Sequence, residues 1–167
     1  MPRPFRKRGS RYAVSLSDGE REMLAELCLQ SRALLEAEDP STDAAVARLF
    51  PPAYQDDPLQ NLEFESALGD APRNGKLDAI ATVERTVRAS DLSEDELLDW
   101  VKVVNDARLV LGTRIEITEQ STERDYPADH PDHDSFQVYV YLTWLEDRIL
   151  RALGDPPVDE GASGPGT

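Results

Sequence analysis

The clearest candidate for chemistry in this sequence is a set of polar side chains at helical spacing. Asn105, Arg108 and Gly112 lie at i, i+3 and i+7, so they share one stripe of a helix. The apolar residues of the same segment form a second stripe that runs from Leu97 to Leu111. An ordinary core helix would avoid the asparagine and the arginine, so this segment has a further task.

Two interpretations fit these side chains together with Asp106 and Arg114. An arginine–carboxylate pair with amide support is a common structural tie between a helix and a neighbouring segment. The same residues on an exposed helix face would instead form a recognition surface. The structural tie is the favoured interpretation of this cluster, and the exposed side of the helix at Asn105, Arg108 and Arg114 is the candidate interaction surface.

Both histidines lie in one acidic loop, where His130 and His133 are interspersed with Asp129, Asp132 and Asp134. Imidazole and carboxylate groups are ligands for zinc, nickel and iron. Catalytic metal sites need ligands on rigid elements with support from neighbouring groups. The prolines and acids around this loop indicate solvent exposure instead. A small metal-binding protein or enzyme that uses this loop is therefore an alternative, and no cofactor is predicted.

Cys28 is the single cysteine of the chain, which excludes an intramolecular disulfide and a cysteine-based zinc site. It lies among leucines of the first predicted helix, where a buried thiol acts as a small apolar group with a raised pKa. Glu22 and Glu26 nearby would also disfavour a thiolate. Cys28 is the redox candidate of the chain, and burial is the favoured interpretation.

Familiar catalytic motifs are absent from the sequence. No phosphate-binding loop, dinucleotide fingerprint, nucleophile elbow or zinc-protease motif occurs. Carboxylates are too numerous for one acid–base pair to stand out. We therefore predict a protein that is not an enzyme.

The net charge of −15 is unevenly distributed. The first 11 residues carry five basic side chains and no acid, so the remainder has a net charge of −20. These basic residues are Arg3, Arg6, Lys7, Arg8 and Arg11. An acidic body repels DNA and anionic membranes, so we expect no sequence-specific DNA binding by the body and no membrane binding. A basic protein surface is the expected partner, and the basic arm is a secondary contact.

The elements that position these residues are predicted mainly as helices. Apolar periodicity predicts helices at 18–37, 43–49, 59–68, 76–89, 94–112 and 136–153. Ser17 with Glu20 and Ser93 with Glu96 are capping boxes that begin two of them. In the third helix Leu59, Leu62 and Phe64 are predicted to face inward, and residues 69–75 are predicted as a loop.

Alternating residues predict a strand at 11–16, and Ile115 with Ile117 predicts a second strand that would pair with it. We therefore predict an all-α single domain at 11–153, a bundle of about six helices with at most a two-stranded β ribbon. A disordered basic arm at 1–10 and a disordered acidic Gly/Pro-rich tail at 154–167 would flank it.

The expected compartment is the cytoplasm. No apolar run approaches the roughly 20 residues that span a bilayer. The charged N-terminus is not followed by the apolar segment of a secretory signal. Aromatic and apolar residues occur on more than one side of the last helix, at Tyr139, Tyr141 and Trp144. They predict a homodimer face or a tightly packed core.

Three strings in the sequence carry a family resemblance. They are R-L-F-P-P-A-Y at 48–54, Trp100 with N-D-A-R-L-V-L-G-T-R at 105–114, and Y-V-Y-L-T at 139–143. On these strings the chain resembles, over about 11–153, an actinobacterial family of proteins described as a domain of unknown function (DUF2017). That family includes an actinomycete oxidative stress regulator.

The resemblance implies a non-enzymatic cytoplasmic regulator of transcription under oxidative stress. Its implied partner is a sigma factor or RNA polymerase. One departure concerns Cys28, because sensing by an intramolecular disulfide needs two cysteines. An adaptor for a proteolytic or other assembly is a further alternative that fits the same residues.

Overall fold

Helices dominate the protein, whose computed structural model describes residues 3–37 and 39–154. The six helices of this part are α1 (Asp18–Ala37), α2 (Ala44–Ala47), α3 (Pro58–Leu68), α4 (Ala71–Thr86), α5 (Glu94–Arg114) and α6 (His133–Gly154). The long helices α5 and α6 pack together, and α4 packs on both α5 and α1. The predicted mostly helical domain of about six helices is confirmed.

A three-stranded antiparallel sheet covers one end of the helices. Its strands are β1 (Phe5–Arg8), β2 (Arg11–Val14) and β3 (Asp91–Ser93), in the order β1-β2-β3. Gly9, with a φ of +59°, makes the turn between the first two. The strand predicted from residue 11 is confirmed, and the sheet has one strand more than expected.

The predicted partner strand at Ile115 and Ile117 is wrong. Ile115 follows the last turn of α5, and its N–H bonds to the carbonyl of Leu111. The residues that pair with β2 lie instead in β3, where Leu92 is opposite Tyr12.

The basic N-terminal arm is ordered from Phe5 to Arg8, which corrects the prediction of a disordered segment at 1–10. Phe5 is buried, with its ring edge-on to Trp100 at a centroid distance of 6.0 Å. The alternation of a strand then places Arg6 and Arg8 in solvent. Burial of the Phe5 ring and pairing with β2 stabilise this strand despite its run of basic residues. The tail predicted at 154–167 lies outside the described residues except for Gly154.

The core centres on Trp100, whose side chain is fully buried. Its indole Nε1–H donates to the hydroxyl oxygen of Thr86 at 2.8 Å, and that hydroxyl donates to the carbonyl of Thr82 at 2.7 Å. The one polar atom of the indole is thus satisfied inside an apolar cluster. This bond fixes α5 against α4.

Both capping boxes are confirmed. The Ser17 N–H donates to Glu20 at 2.7 Å, and the Glu20 N–H donates to the Ser17 hydroxyl at 3.2 Å. Ser93 and Glu96 repeat the pattern at 2.8 and 3.2 Å. These bonds satisfy the free N–H groups at the starts of α1 and α5.

The predicted loop at 69–75 is wrong, and the short helix predicted at 43–49 spans only Ala44–Ala47. The segment predicted as a loop at 69–75 belongs mostly to α4, which begins at Ala71 and has Pro72 in its first turn, where a proline is tolerated. The short helix α2 is capped by Asp43, whose carboxylate accepts from the Ala45 and Val46 N–H groups.

No helix among residues 3–37 and 39–154 combines the length and apolar character that a membrane crossing needs.

Candidate interaction sites

Arg108 ties α5 to α6 and is half-buried. Its Nε lies 2.8 Å from the Glu146 carboxylate, an ion pair without hydrogen-bond alignment. Another guanidinium nitrogen donates to the Asn105 side-chain oxygen at 3.1 Å, and a third approaches the Tyr139 hydroxyl at 3.4 Å. Asn105 and Arg108 thus come together as predicted, and their contacts fit the structural tie better than a free recognition surface.

Gly112 completes this contact because it allows Tyr139 to approach the helix. A Cβ at this position would lie 3.0 Å from the Tyr139 ring. The ring also stacks under the Arg108 guanidinium, 5.9 Å from its centroid. The stripe of Asn105, Arg108 and Gly112 is therefore the contact surface for one aromatic side chain of α6, Tyr139.

A cleft of about 350 Å³ opens beside this contact. Its lining includes Arg48, Arg108, Gly112 and Tyr139. The three strings that carry the family resemblance therefore meet at one place in the fold.

Asp106 and Arg114 lie at two other places. Asp106 accepts from the Lys76 ammonium at 2.9 Å, although burial raises the pKa of its carboxyl group. Arg114 donates to the second carboxylate oxygen of Asp43 at 3.1 Å and so joins the end of α5 to the cap of α2. Hydrogen bonds from the Ala45 N–H, and to a lesser degree Arg114, hold the pKa of Asp43 below its ordinary value. The polar residues of α5 are thus separate ties to different elements.

The basic arm presents Arg6 and Arg8 on the exposed face of the sheet. Arg3, Arg6 and Arg8 are exposed, and the Lys7 ammonium lies 5.8 Å from the Tyr12 ring centroid. Arg11 differs, because its guanidinium pairs with Asp91 across the sheet. An exposed basic edge therefore remains at the N-terminal strand.

Cys28 is buried, with 1% of its surface exposed. Burial, and then the negative charge of Glu84, raises the pKa of its thiol to about 12. A thiol with so little thiolate character reacts slowly with oxidants. The favoured interpretation of Cys28 as a core residue agrees with its surroundings.

The histidines serve the structure of their loop. His133 Nδ1 lies 2.8 Å from the Tyr126 carbonyl oxygen, and His130 Nδ1 accepts from the Asp132 N–H at 3.0 Å. The His130 ring also packs edge-on to Tyr126, at a centroid distance of 5.1 Å. Within the described residues, no three His, Cys, Asp or Glu side chains are grouped closely enough to hold a metal ion.

An exposed apolar surface on α3 was missed by the sequence analysis. Leu59 and Leu62 are 68% and 60% exposed, and Phe64 is 40% exposed, so the prediction that they face inward is wrong. No residue of α3 is buried. Five of the nine exposed large apolar side chains among the described residues lie between Tyr54 and Leu68. Contiguous exposed apolar surface of this kind commonly marks a binding site.

A groove of about 740 Å³ runs beside α3. The resemblance-bearing segment 49–53 lines one side through Leu49, Phe50, Pro51 and Ala53, and α3 lines the other through Phe64, Glu65 and Leu68. Asp57 caps α3 by accepting from the Gln60 N–H at 3.0 Å, and the Phe64 ring packs edge-on to Tyr54 at a centroid distance of 5.7 Å. We call α3 and this groove the α3 surface.

These observations define a small helical protein with an exposed apolar surface on α3. The chain belongs to the family described as Domain of unknown function (DUF2017), whose model matches residues 2–153. The family resemblance seen in the three strings is thereby confirmed.

Relatives in this family come from mycobacteria. Oxidative stress regulator AosR of Mycobacterium tuberculosis (strain ATCC 25618 / H37Rv) is 28% identical, over 87% of this chain and 83% of that protein. The protein of the same name from Mycobacterium bovis (strain ATCC BAA-935 / AF2122/97) gives the same values. A relative from Mycobacterium leprae (strain TN) is 30% identical over 66% of this chain, and the match spans 58% of that relative. No solved structure matches the chain.

Proposed function

We propose that this protein regulates the response to oxidative stress by binding another protein, and that it is not an enzyme. The names of its mycobacterial relatives support the oxidative-stress part of the proposal. The single structural observation behind the binding mode is the α3 surface, where apolar side chains are exposed on a helix that has no buried residue.

The proposed partner belongs to the transcription machinery of the cytoplasm, as a sigma factor or RNA polymerase. The family resemblance suggests this class of partner. The charge of the chain supports a basic protein surface over bare DNA, because a body with a net charge of −20 repels phosphates. In this proposal the regulator contacts a protein that binds DNA and does not itself read the sequence.

A complementation experiment tests the proposal. This chain is expressed in a mycobacterial strain that lacks its AosR relative, and transcripts are measured before and after treatment with peroxide. We expect the chain, but not the empty vector, to restore peroxide-dependent transcript changes. Transcripts that stay at the level of the empty vector would contradict the proposal. Altered protein turnover with unaltered transcripts would favour the adaptor alternative instead.

A further inference from the structure

We propose that the α3 surface binds a basic amphipathic helix of the partner. The inference rests on the proposed function for the partner's regulatory role, and it adds the place of binding and the chemistry of the bound segment. An amphipathic helix that lays its apolar face into a groove is a common mode of recognition.

The shape of the surface suits a helix with an apolar face. Leu59 and Leu62 lie on one side of α3, and Phe64 and Leu68 lie roughly opposite, by the 100° rotation of successive helical residues. Phe64 and Leu68 line the groove, whereas Leu59 and Leu62 extend the apolar surface beyond it. A bound helix in the groove would therefore contact Phe64 and Leu68 on one side and Leu49, Phe50 and Pro51 on the other.

The charge of the surface selects a basic segment. Residues 49–72 contain no lysine or arginine and five acids, which are Asp56, Asp57, Glu63, Glu65 and Asp70. Within the described residues, none of these five carboxylates makes an ion pair. They surround the apolar side chains, so a partner with lysines or arginines beside its apolar face would be attracted and oriented.

The cations near the groove are matched by acids of the protein itself. Lys76 donates to Asp106 at 2.9 Å while it lies 5.6 Å from the Phe50 ring centroid. The pKa of Asp39 is held below its ordinary value by hydrogen bonds from Ser41 and, to a smaller degree, by the charge of Arg73. The acids around α3 therefore keep their net negative charge.

Two other occupants fit the charge less well. A second copy in a two-fold symmetric contact would bring the same five carboxylates face to face. The chain's own tail, residues 155–167, has three acids and no base, so it would be repelled as well. The basic residues at the N-terminus are held in the sheet by β1 and its pairing with β2.

Fluorescence anisotropy of a labelled Leu/Lys amphipathic helical peptide tests the inference on the full chain. One variant carries Phe64→Ser with Leu68→Ser, which line the groove and are each 40% exposed, and its matched control carries Leu98→Ser with Val140→Ser, which are 38% and 39% exposed on α5 and α6. We expect the Kd to rise about tenfold in the α3 variant and to stay unchanged in the control, since apolar anchors dominate such contacts. Circular dichroism checks that both variants are folded.

A charge-reversal pair gives an independent readout that leaves the leucines in place. Glu63→Lys with Glu65→Lys is compared with Glu22→Lys with Glu119→Lys, which changes the net charge equally at other exposed sites. We expect only the first pair to weaken binding, and to weaken it less at high salt. Equal Kd values for all variants, or equal binding of a Leu/Glu peptide, would overturn the inference.

Two further results separate this inference from the proposed function. A wild-type dimer that Phe64→Ser with Leu68→Ser converts to a monomer would overturn the inference in favour of a self-interface. Loss of peptide binding by this variant, with full complementation of the peroxide response, would also overturn it while the proposed function stands. If wild type fails to complement, the proposed function fails, and the peptide measurements still decide what the surface binds.

Discussion

Arg108 shows how a polar residue in a helix can be a structural tie when it resembles a recognition residue. Its charge is balanced by the carboxylate of Glu146, and its guanidinium lies over the ring of Tyr139. Both residues belong to α6. Sequence reasoning placed Asn105 and Arg108 on one stripe but could not tell whether another helix covers that stripe. Periodicity gives the direction of a side chain, whereas its partner depends on packing between elements that are distant in sequence.

Replacing Arg108 with alanine should destabilise the protein. We expect the free energy of unfolding to fall by about 1–3 kcal/mol, because Glu146 would lose its partner in a half-buried position. Urea unfolding of Arg108→Ala, Glu146→Gln and the double variant measures this coupling. An unchanged unfolding free energy in Arg108→Ala would return Arg108 to the interaction surface predicted from the sequence.

Cys28 should resist thiol reagents in the folded protein. Its thiol is buried and has a pKa of about 12, so very little thiolate is present at neutral pH. We expect labelling by a maleimide to be slow in buffer and complete in denaturant, as followed by mass spectrometry. Rapid labelling or peroxide oxidation of the folded protein would instead make Cys28 a direct oxidant sensor.

Among the elements, α1, α5 and α6 were predicted well because each is long and has apolar residues at helical spacing, and two of them begin with a capping box. The predictions failed at β1 and α3. In β1 the charged residues surround one buried aromatic residue, Phe5. Its ring packs against Trp100, which is distant in sequence. In α3 the apolar residues lie on opposite sides, so the sequence could not say which side is covered.

The order of β1 depends on its aromatic anchor, and substitution tests this directly. Phe5→Ala should lower the free energy of unfolding by about 3 kcal/mol, because a buried ring is replaced by a cavity beside Trp100. Arg6→Ala, on the exposed side of the same strand, should change it little. Thermal or urea unfolding compares the two, and equal small effects would support the disordered arm instead.

The capping box of α5 should make the stability depend on pH. Hydrogen bonding from the Ser93 N–H, then the side chain of Arg85, holds the pKa of Glu96 below its ordinary value of 4.5. A lowered folded-state pKa means that the stabilisation is fully present above pH 4.5 and is lost as the pH falls through the folded-state pKa.

Glu96→Gln isolates this contribution. We expect the variant to be less stable than wild type by up to about 1 kcal/mol at neutral pH, because it loses the ion pair with Arg85. The difference should shrink as the pH falls below 4.5 and through the folded-state pKa, where the wild-type carboxylate becomes protonated. Urea unfolding across this range measures it, and a difference independent of pH would contradict the assignment.

At the scale of the whole molecule, charge and exposed apolar surface point to the same kind of partner. The sequence pI of about 4.4 and the acidic rim of α3 both favour a basic protein. The acidic character and the family could be recognised in the sequence. The α3 surface could not be recognised in the sequence, because the exposure of Leu59 and Leu62 depends on which other elements of the fold pack against α3.

Affinity purification of the tagged chain tests the central claim of regulation through protein contact most directly. The full chain and its Phe64→Ser, Leu68→Ser variant are recovered from mycobacterial cells with and without peroxide, and bound proteins are identified by mass spectrometry. We predict that the wild type recovers a sigma factor or RNA polymerase and that the variant recovers much less. Recovery of only protease or chaperone components, or of no protein in either condition, would contradict the account.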